Sequence, residues 1–129
     1  MSTTSATSSK QCQLLYIGNE PELSRASSIV LKEAGFRVRA TNPLHAAEAV
    51  RDHHFAAVIF CATLSCEEMD RIADVVNIQQ PGVPIISVCV GMLGDGPYRT
   101  SAAVVDATQG PQALVGAVRS VTVLQQRAS

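Results

Sequence analysis

The 129-residue sequence has no tryptophan and little other aromatic content, with only two tyrosines and three phenylalanines. Proteins that bind single-stranded nucleic acids stack bases on aromatic side chains, so this composition argues against such a role. A charge excess is also missing, because the formal net charge is −1 and the pI is about 6.3. Without a basic surplus to neutralise phosphates, we expect the protein to bind neither nucleic acid nor an anionic membrane.

Long apolar runs are absent as well, since none approaches the roughly 18 residues that a membrane span needs. The N-terminal segment MSTTSATSSK is polar and lacks the apolar centre of a secretory signal. We therefore predict a disordered tail over residues 1–11, one domain over residues 12–124, a frayed tail over residues 125–129 and a cytoplasmic location.

The cysteines follow neither the CxxC spacing of a metal or redox motif nor the density of a disulfide scaffold. We expect reduced thiols. The four cysteines are Cys12, Cys61, Cys66 and Cys89.

Five short apolar runs predict five β-strands, and the second of them alternates apolar and basic residues as an edge strand does. The predicted strands are residues 13–17, 36–40, 55–61, 85–89 and 102–107.

Helical spacing of apolar residues fills most of the segments between the strands. The first helix has Asn19 as a candidate cap, Pro21 near its first turn and Gly35 at its end. A second helix covers residues 44–52, Ser65 caps a third, and Pro111 opens the last. The predicted inward residues are Leu23, Ala26, Val30, Leu31 and Ala34 in the first helix, Met69, Ile72, Val75 and Val76 in the third, and Leu114, Ala117, Val118 and Val121 in the last.

The segment GMLGDGPYRTS, residues 91–101, breaks this pattern because three glycines and a proline disfavour a helix. We expect helix four, between the fourth and fifth strands, to be short or replaced by a glycine-rich loop. Strands that alternate with helices predict an α/β protein with a parallel sheet and helices on both faces.

The chain resembles a response-regulator receiver domain of the CheY-like superfamily over residues 13 to about 121. The resemblance is carried by LLYIGNEPEL, LKEAGFRVRATNPLHAAEAV, FAAVIFCATLS, QQPGVPIISVCVG and AAVVDATQGPQALVGAV, and by the spacing of the elements. Together with the right-handed crossover rule, it predicts a flavodoxin-like, doubly wound five-stranded sheet in the order 2-1-3-4-5.

Receivers of this family phosphorylate an aspartate after the third strand and hold Mg²⁺ on acidic residues after the first. A hydroxyl after strand four and a lysine after strand five complete the site. The resemblance places the acidic pair on Gly18 and Asn19, the phosphoacceptor on Cys61, the hydroxyl on Cys89, the lysine on Ala107 or, one residue earlier, Asp106, and the aromatic switch on Val104. None of these residues supplies the family's carboxylate, hydroxyl or cation at its position, so the resemblance implies a degenerate pseudo-receiver.

We therefore interpret the chain as a stand-alone receiver-like domain of two-component (phosphorelay) signal transduction, without phosphorylation, enzymatic activity, cofactor or metal. We expect no output domain after Ser129 and therefore expect the output to pass through a protein partner. Receivers often pair through the face made by helix four, strand five and helix five, so we expect a homodimer through that face. Leu93, Tyr98 and Val123 are candidate exposed contacts.

Two other classes of function stay open. Cys61 and Cys89, with Cys66 nearby, are candidates for a thiol-based redox or soft-metal sensor. A small flavodoxin-like enzyme with Cys61 as its nucleophile would need a base, and only Asp106 is placed to serve as one.

Two further motifs are interpreted as structural. His53 and His54 lie in a loop and His45 in the second helix, so we expect solvated side chains rather than a metal site. The glycines of GMLGDGPYR lack the Lys-Ser/Thr pair of a phosphate-binding loop, which favours a flexible loop.

Overall fold

A computed structural model of the protein describes residues 13–90 and 96–128, with side chains up to residue 122. Its strands are β1 (Gln13–Ile17), β2 (Arg37–Thr41), β3 (Ala57–Phe60), β4 (Ile85–Cys89) and β5 (Ala103–Asp106). Its helices are α1 (Pro21–Glu33), α2 (Ala46–Asp52), α3 (Cys66–Gln79) and α4 (Pro111–Ala128), with a 3₁₀ turn over Ala107–Gln109.

The five strands form one parallel sheet in the order β2-β1-β3-β4-β5. This confirms the predicted flavodoxin-like order. The strand order reverses between β1 and β3, and all carboxyl ends lie along one edge, where ligands of such sheets bind.

The apolar runs located every strand. β1 and β4 have the predicted ends, β2 lies one residue later, and β3 and β5 are shorter than predicted. The shorter strands end where ladder pairing ends, which an apolar run alone does not reveal.

Two separate apolar clusters cover the two faces of the central strands. Alternate residues of these strands enter opposite clusters: Leu15 and Phe60 pack on the side of α2 and α3, and Tyr16 and Ile59 on the side of α1 and α4. β2 is an edge strand, as its alternating pattern predicted.

α1 differs from its predicted orientation. Gly35 has a φ of 103° and follows the helix end, as expected of a left-handed cap. The buried face, however, carries Ser24 and Ser28, whereas Leu23 is 51% exposed. The predicted inward positions Leu23 and Ala26 are therefore wrong, because Ser24 is small enough to approach the end of β1 closely. Asn19 does not cap the helix either, since Glu20 holds that position.

α3 begins with a full capping box. Ser65 Oγ accepts from the Glu68 backbone N–H at 3.1 Å, and Glu68 Oε1 accepts from the Ser65 N–H at 2.9 Å. The cap at Ser65 is thus confirmed, and Met69, Ile72 and Val76 are buried as predicted.

Gln80, just after α3, is a buried polar residue whose side chain makes several hydrogen bonds that the sequence did not predict. Its side-chain amide donates to the carbonyls of Val50 and His53, and its Oε1 accepts from the Phe55 N–H at 3.0 Å. Gln80 therefore joins the end of α3 to the connection between α2 and β3.

The connection between β4 and β5 contains no helix among its described residues, 96–102, as the glycine-rich sequence predicted. Instead of a helix, the Tyr98 side chain packs against this part of the sheet. Its ring stands edge-on to Phe60 at a centroid distance of 5.7 Å, and its backbone N–H donates to Ser87 Oγ at 3.0 Å. The prediction that Tyr98 is an exposed contact is therefore wrong, and Leu93 and the Val123 side chain lie outside the described residues.

α4 begins at Pro111 as predicted and buries Leu114, Val118 and Val121, together with Val115, which was not predicted. The helix continues to Ala128, past the predicted domain end at residue 124. Fraying of residues 125–129 stays a prediction, and the N-terminal tail lies outside the described residues. No helix in the described ranges is long and apolar enough to cross a membrane.

Candidate functional site

The predicted site positions lie along the carboxyl edge of the sheet, in two groups. The Cys61 N–H donates to the Ile17 carbonyl at 2.9 Å, which places Cys61 beside Gly18 at the ends of β3 and β1. The register pairs Cys89 with Asp106 at the ends of β4 and β5. Ala107 follows as the first residue of the 3₁₀ turn.

The thiols of Cys61 and Cys89 point to opposite faces of the sheet. Cys61 belongs to the cluster on the side of α1 and α4. Cys89 follows Ser87 at a spacing of two residues, and Ser87 contacts Tyr98 on the other side. The described cysteines, Cys61, Cys66 and Cys89, form no disulfide with one another. Strand geometry thus gives no support to a Cys61–Cys89 pair, and the redox role stays a hypothesis.

Gly18 is closely surrounded by side chains. A Cβ atom there would lie 3.0 Å from the Cβ of Cys61, 3.2 Å from Ser24 Oγ and 3.4 Å from the Tyr16 ring. Contacts this short require the neighbours to shift by a few tenths of an ångström, which has a cost in a packed interior. The present positions of Cys61 and Ser24 therefore favour glycine at position 18.

Asn19 is held by the loop that follows β3. Its backbone N–H donates to Thr63 Oγ1 at 3.3 Å, and its side-chain amide donates to the Thr63 carbonyl at 3.3 Å and to Glu68 Oε1 at 3.4 Å. These hydrogen bonds connect the end of β1 to the start of α3, so the Asn19 amide has a structural role here.

Cys61 is buried and hydrogen-bonded to Tyr16, which the sequence analysis did not connect with the site. Burial and the contact with the Cys61 thiol raise the pKa of the Tyr16 phenol well above its ordinary value, despite the hydrogen bond from Ser27 Oγ at 3.3 Å. Only 5% of Cys61 is exposed. A thiol enclosed in this way is poorly placed to attack a phosphodonor in solvent.

Cys89 and Asp106 form the second group. Burial, and secondarily the Asp106 carboxylate, raise the pKa of the Cys89 thiol. Asp106 Oδ1 accepts from Thr108 N–H at 2.9 Å and Thr108 Oγ1 at 2.6 Å, so the carboxylate caps the 3₁₀ turn. The end of β5 therefore carries a negative group at Asp106, the second of the two positions to which the resemblance assigns the lysine.

These residues do not fit Mg²⁺. The ion prefers several oxygen ligands that include carboxylates, and Gly18 and Cys61 provide no oxygen side chain. The nearby Glu68 carboxylate already serves the capping box and Asn19. Among the described residues, no three His, Cys, Asp or Glu side chains are grouped closely enough to hold a metal ion.

The histidines do not join the site edge as a group. His53 and His54 lie between α2 and β3, as predicted, whereas His45 precedes α2 rather than lying within it. The His45 ring contacts Asn42 Oδ1 through Nδ1 at 3.0 Å. Most of the segment GMLGDGPYR lies outside the described residues, so its interpretation stays a prediction.

Tyr16, Thr63 and Glu68 complete the surroundings of the site but were not assigned to it from the sequence. The Ser65-x-x-Glu68 spacing is a recognisable capping box and could have identified Glu68. No sequence signal marks Thr63 or Tyr16, because their roles depend on contacts across the sheet edge.

Known proteins resemble this chain in structure but not in sequence. No family model matches the sequence, and no curated protein sequence is significantly similar to it. Among solved structures, a CheY-like receiver domain from Methanospirillum hungatei superposes with a TM-score of 0.77 at 14% identity, covering 91% of this chain and 98% of that one.

Two other receiver structures agree with this result. A response regulator receiver protein from Sinorhizobium medicae has a TM-score of 0.71 at 17% identity, covering 88% of this chain and 95% of that one. The receiver domain of a sensor histidine kinase from Pseudomonas aeruginosa, solved with magnesium in its active site cleft, has a TM-score of 0.70 at 15% identity, covering 85% and 96%. The chain has the CheY-like receiver fold.

Proposed function

We propose that the protein is a receiver-like module of two-component signalling that is not phosphorylated and acts in the cytoplasm by binding a protein partner. The observation that carries the proposal is the crowding at Gly18, where a Cβ would lie 3.0 Å from the Cβ of Cys61. A site that has closed around a glycine cannot offer the carboxylate that receivers use for Mg²⁺.

The remaining site residues support the same proposal. The receiver from Pseudomonas aeruginosa coordinates magnesium in its active site cleft. In this chain the thiol of Cys61 is buried and the Asn19 amide holds Thr63 and Glu68. Phosphoryl transfer to a thiol without a divalent ion or a nearby cation lacks the charge neutralisation that the reaction needs. The same argument weighs against an enzyme.

β5 offers the partner surface that we favour. Val104, in the middle of this strand, is 57% exposed. Its register partner Ser87 is covered by Tyr98, but no described helix between β4 and β5 covers Val104. β5 is also an edge strand, with one side of its backbone unpaired in the sheet. We infer that a partner, or a second copy of the chain, packs here.

The experiment is affinity capture from the source cell, with the full chain as bait, in the presence and absence of Mg²⁺ and beryllofluoride. Val104→Lys places a charge on the proposed surface. Leu44→Lys is the matched control, because Leu44 is 81% exposed near the opposite edge strand, β2.

The proposal predicts a protein that is recovered equally with and without the phosphate mimic, is lost with Val104→Lys and is kept with Leu44→Lys. Recovery that requires the mimic would contradict it, as would equal recovery by both variants. Light scattering over a range of protein concentrations distinguishes a second copy from another partner, because only a homodimer changes its mass with the concentration of the pure protein.

A further inference from the structure

A cavity separate from the β3–β4 side of the sheet opens between the carboxyl ends of β1 and β2. Its volume is about 480 Å³, which falls in the range of small-molecule sites. Gly18, Ser24, Arg25, Thr41, Asn42 and His45 contribute to its lining. We call it the β1–β2 cavity.

The charge of the lining favours an anion. Arg25 and His45 are the titratable side chains that line the cavity, and no Asp or Glu is among the described residues that do so. Glu20 and Glu22 lie at the start of α1, but neither lines the cavity. Arginine matches the planar or tetrahedral oxygens of carboxylates and phosphates better than other anions.

Ser24 supplies a hydroxyl to the lining of the cavity. Only 7% of the residue is exposed, and its Oγ lies 3.2 Å from where a Cβ on Gly18 would be. Ser24 Oγ is not among the enclosed atoms that lack a partner in the described part of the chain, and it is available to donate to a ligand oxygen in the cavity.

The start of α1 supplies further hydrogen-bond donors near the cavity. Glu20, at the N-cap, makes no side-chain capping bond, so the first turn of the 13-residue helix has no acceptor from its cap. The positive end of a helix favours an anion.

His45 is held at the wall of the cavity by Asn42. Asn42 Oδ1 accepts from the His45 backbone N–H at 2.9 Å and contacts ring Nδ1 at 3.0 Å. The position of the imidazole beside the cavity is therefore set by the loop that follows β2.

We propose that the β1–β2 cavity binds a small organic anion through its carboxylate or phosphate group, held by Arg25, the Ser24 hydroxyl and the first turn of α1. The site would give this fold a ligand input in place of phosphorylation. This proposal is separate from the proposed function. Ligand binding is measured on the pure protein, so its outcome does not depend on whether a partner protein is captured.

The test is amide NMR of the full chain, titrated separately with sodium phosphate and sodium acetate against sodium chloride at equal ionic strength. If the amide shifts of Gly18, Ser24 and Asn42 change and reach saturation with phosphate, the ligand carries a phosphate group. If they do so with acetate, the ligand carries a carboxylate group. Either result supports the proposal. No saturable change below about 20 mM of either anion, or a change centred elsewhere, overturns it.

Paired variants test the assigned residues. Arg25→Gln is expected to weaken binding at least about tenfold, since it removes a charge-assisted contact, while Arg37→Gln on the edge strand leaves binding unchanged. Ser24→Ala weakens binding, while Ser28→Ala, equally buried on the same helix and outside the cavity lining, does not. Equal effects within either pair would contradict the assignment, provided that urea unfolding shows all four variants folded.

Discussion

Gly18 and Cys61 are in close contact at the ends of β1 and β3. A Cβ on Gly18 would lie 3.0 Å from the Cβ of Cys61, so a side chain at position 18 would require a shift of a few tenths of an ångström. The glycine at position 18 and the position of the buried Cys61 thiol are therefore linked by packing.

The first prediction concerns this contact. Gly18→Ala is expected to lower the free energy of unfolding by about 1–3 kcal/mol, because the added methyl group overpacks the junction of Cys61, Ser24 and Tyr16. Gly116→Ala in α4 is the control: its Cβ would meet nothing within 4 Å, so it should stabilise the protein by roughly 0.5–1 kcal/mol. Urea unfolding measures both. A neutral Gly18→Ala would mean that the site has room to readjust.

The buried amide of Gln80 gives the second prediction. Gln80→Leu keeps most of the side-chain volume but leaves the Val50 and His53 carbonyls and the Phe55 N–H without their partner. We expect a loss of about 2–4 kcal/mol in the free energy of unfolding. Gln79→Leu, one residue earlier and exposed, should change it by less than about 0.5 kcal/mol. Similar values for the two variants would show that the Gln80 hydrogen bonds contribute nothing measurable.

The third prediction concerns the hydroxyl of Ser28, which is buried and has no hydrogen-bond partner among the described residues. Ser28→Ala removes an unpaired polar group from the interior and is expected to raise the thermal midpoint. Ser65→Ala serves as the contrast, because loss of the capping box of α3 should cost about 1 kcal/mol. A destabilised Ser28→Ala protein would indicate that this hydroxyl has a partner after all.

The reactivity of Cys89 provides the fourth prediction. Its raised pKa means that less thiolate is present at a given pH, so alkylation should be slow near pH 8 and should accelerate as the pH rises through the raised pKa. Asp106→Asn removes the neighbouring negative charge and keeps an oxygen for Thr108, so the thiolate fraction and the alkylation rate at pH 8 should rise about two- to fivefold. Mass spectrometry follows the rate, with exposed Cys66 as the internal reference. An unchanged rate would show that Asp106 does not act on this thiol.

The sequence predicted the sheet better than it predicted helix orientation. The apolar runs located the central strands, because a strand buried on both faces must be apolar throughout, and the alternating pattern located the edge strand β2. In α1, however, Leu23 and Ser24 compete for the inward position, and periodicity favoured the leucine. In the structure Ser24 is buried close to Gly18, and Leu23 is exposed.

The strand ends could be predicted, but the contacts made there could not. The resemblance assigned Gly18, Asn19, Cys61 and Cys89 to strand ends, and the structure has these residues at the ends of β1, β3 and β4; their role as a site stays a prediction. The contacts of Asn19 with Thr63, and of Cys61 with Tyr16, join distant parts of the chain and leave no local pattern. The β1–β2 cavity was missed for the same reason, since its lining comes from two separate loops and a helix.

The central claim is that the strand ends cannot accept a phosphoryl group, and intact-mass spectrometry of the full chain with acetyl phosphate and Mg²⁺ tests it most directly. A CheY-like receiver with its acidic residues in place, treated in parallel, confirms that the phosphodonor is active. We predict that this protein keeps its unmodified mass while the control gains one phosphoryl group. A Mg²⁺-dependent gain of one phosphoryl group by this protein, mapped to Cys61 or another strand-end residue, would contradict the account.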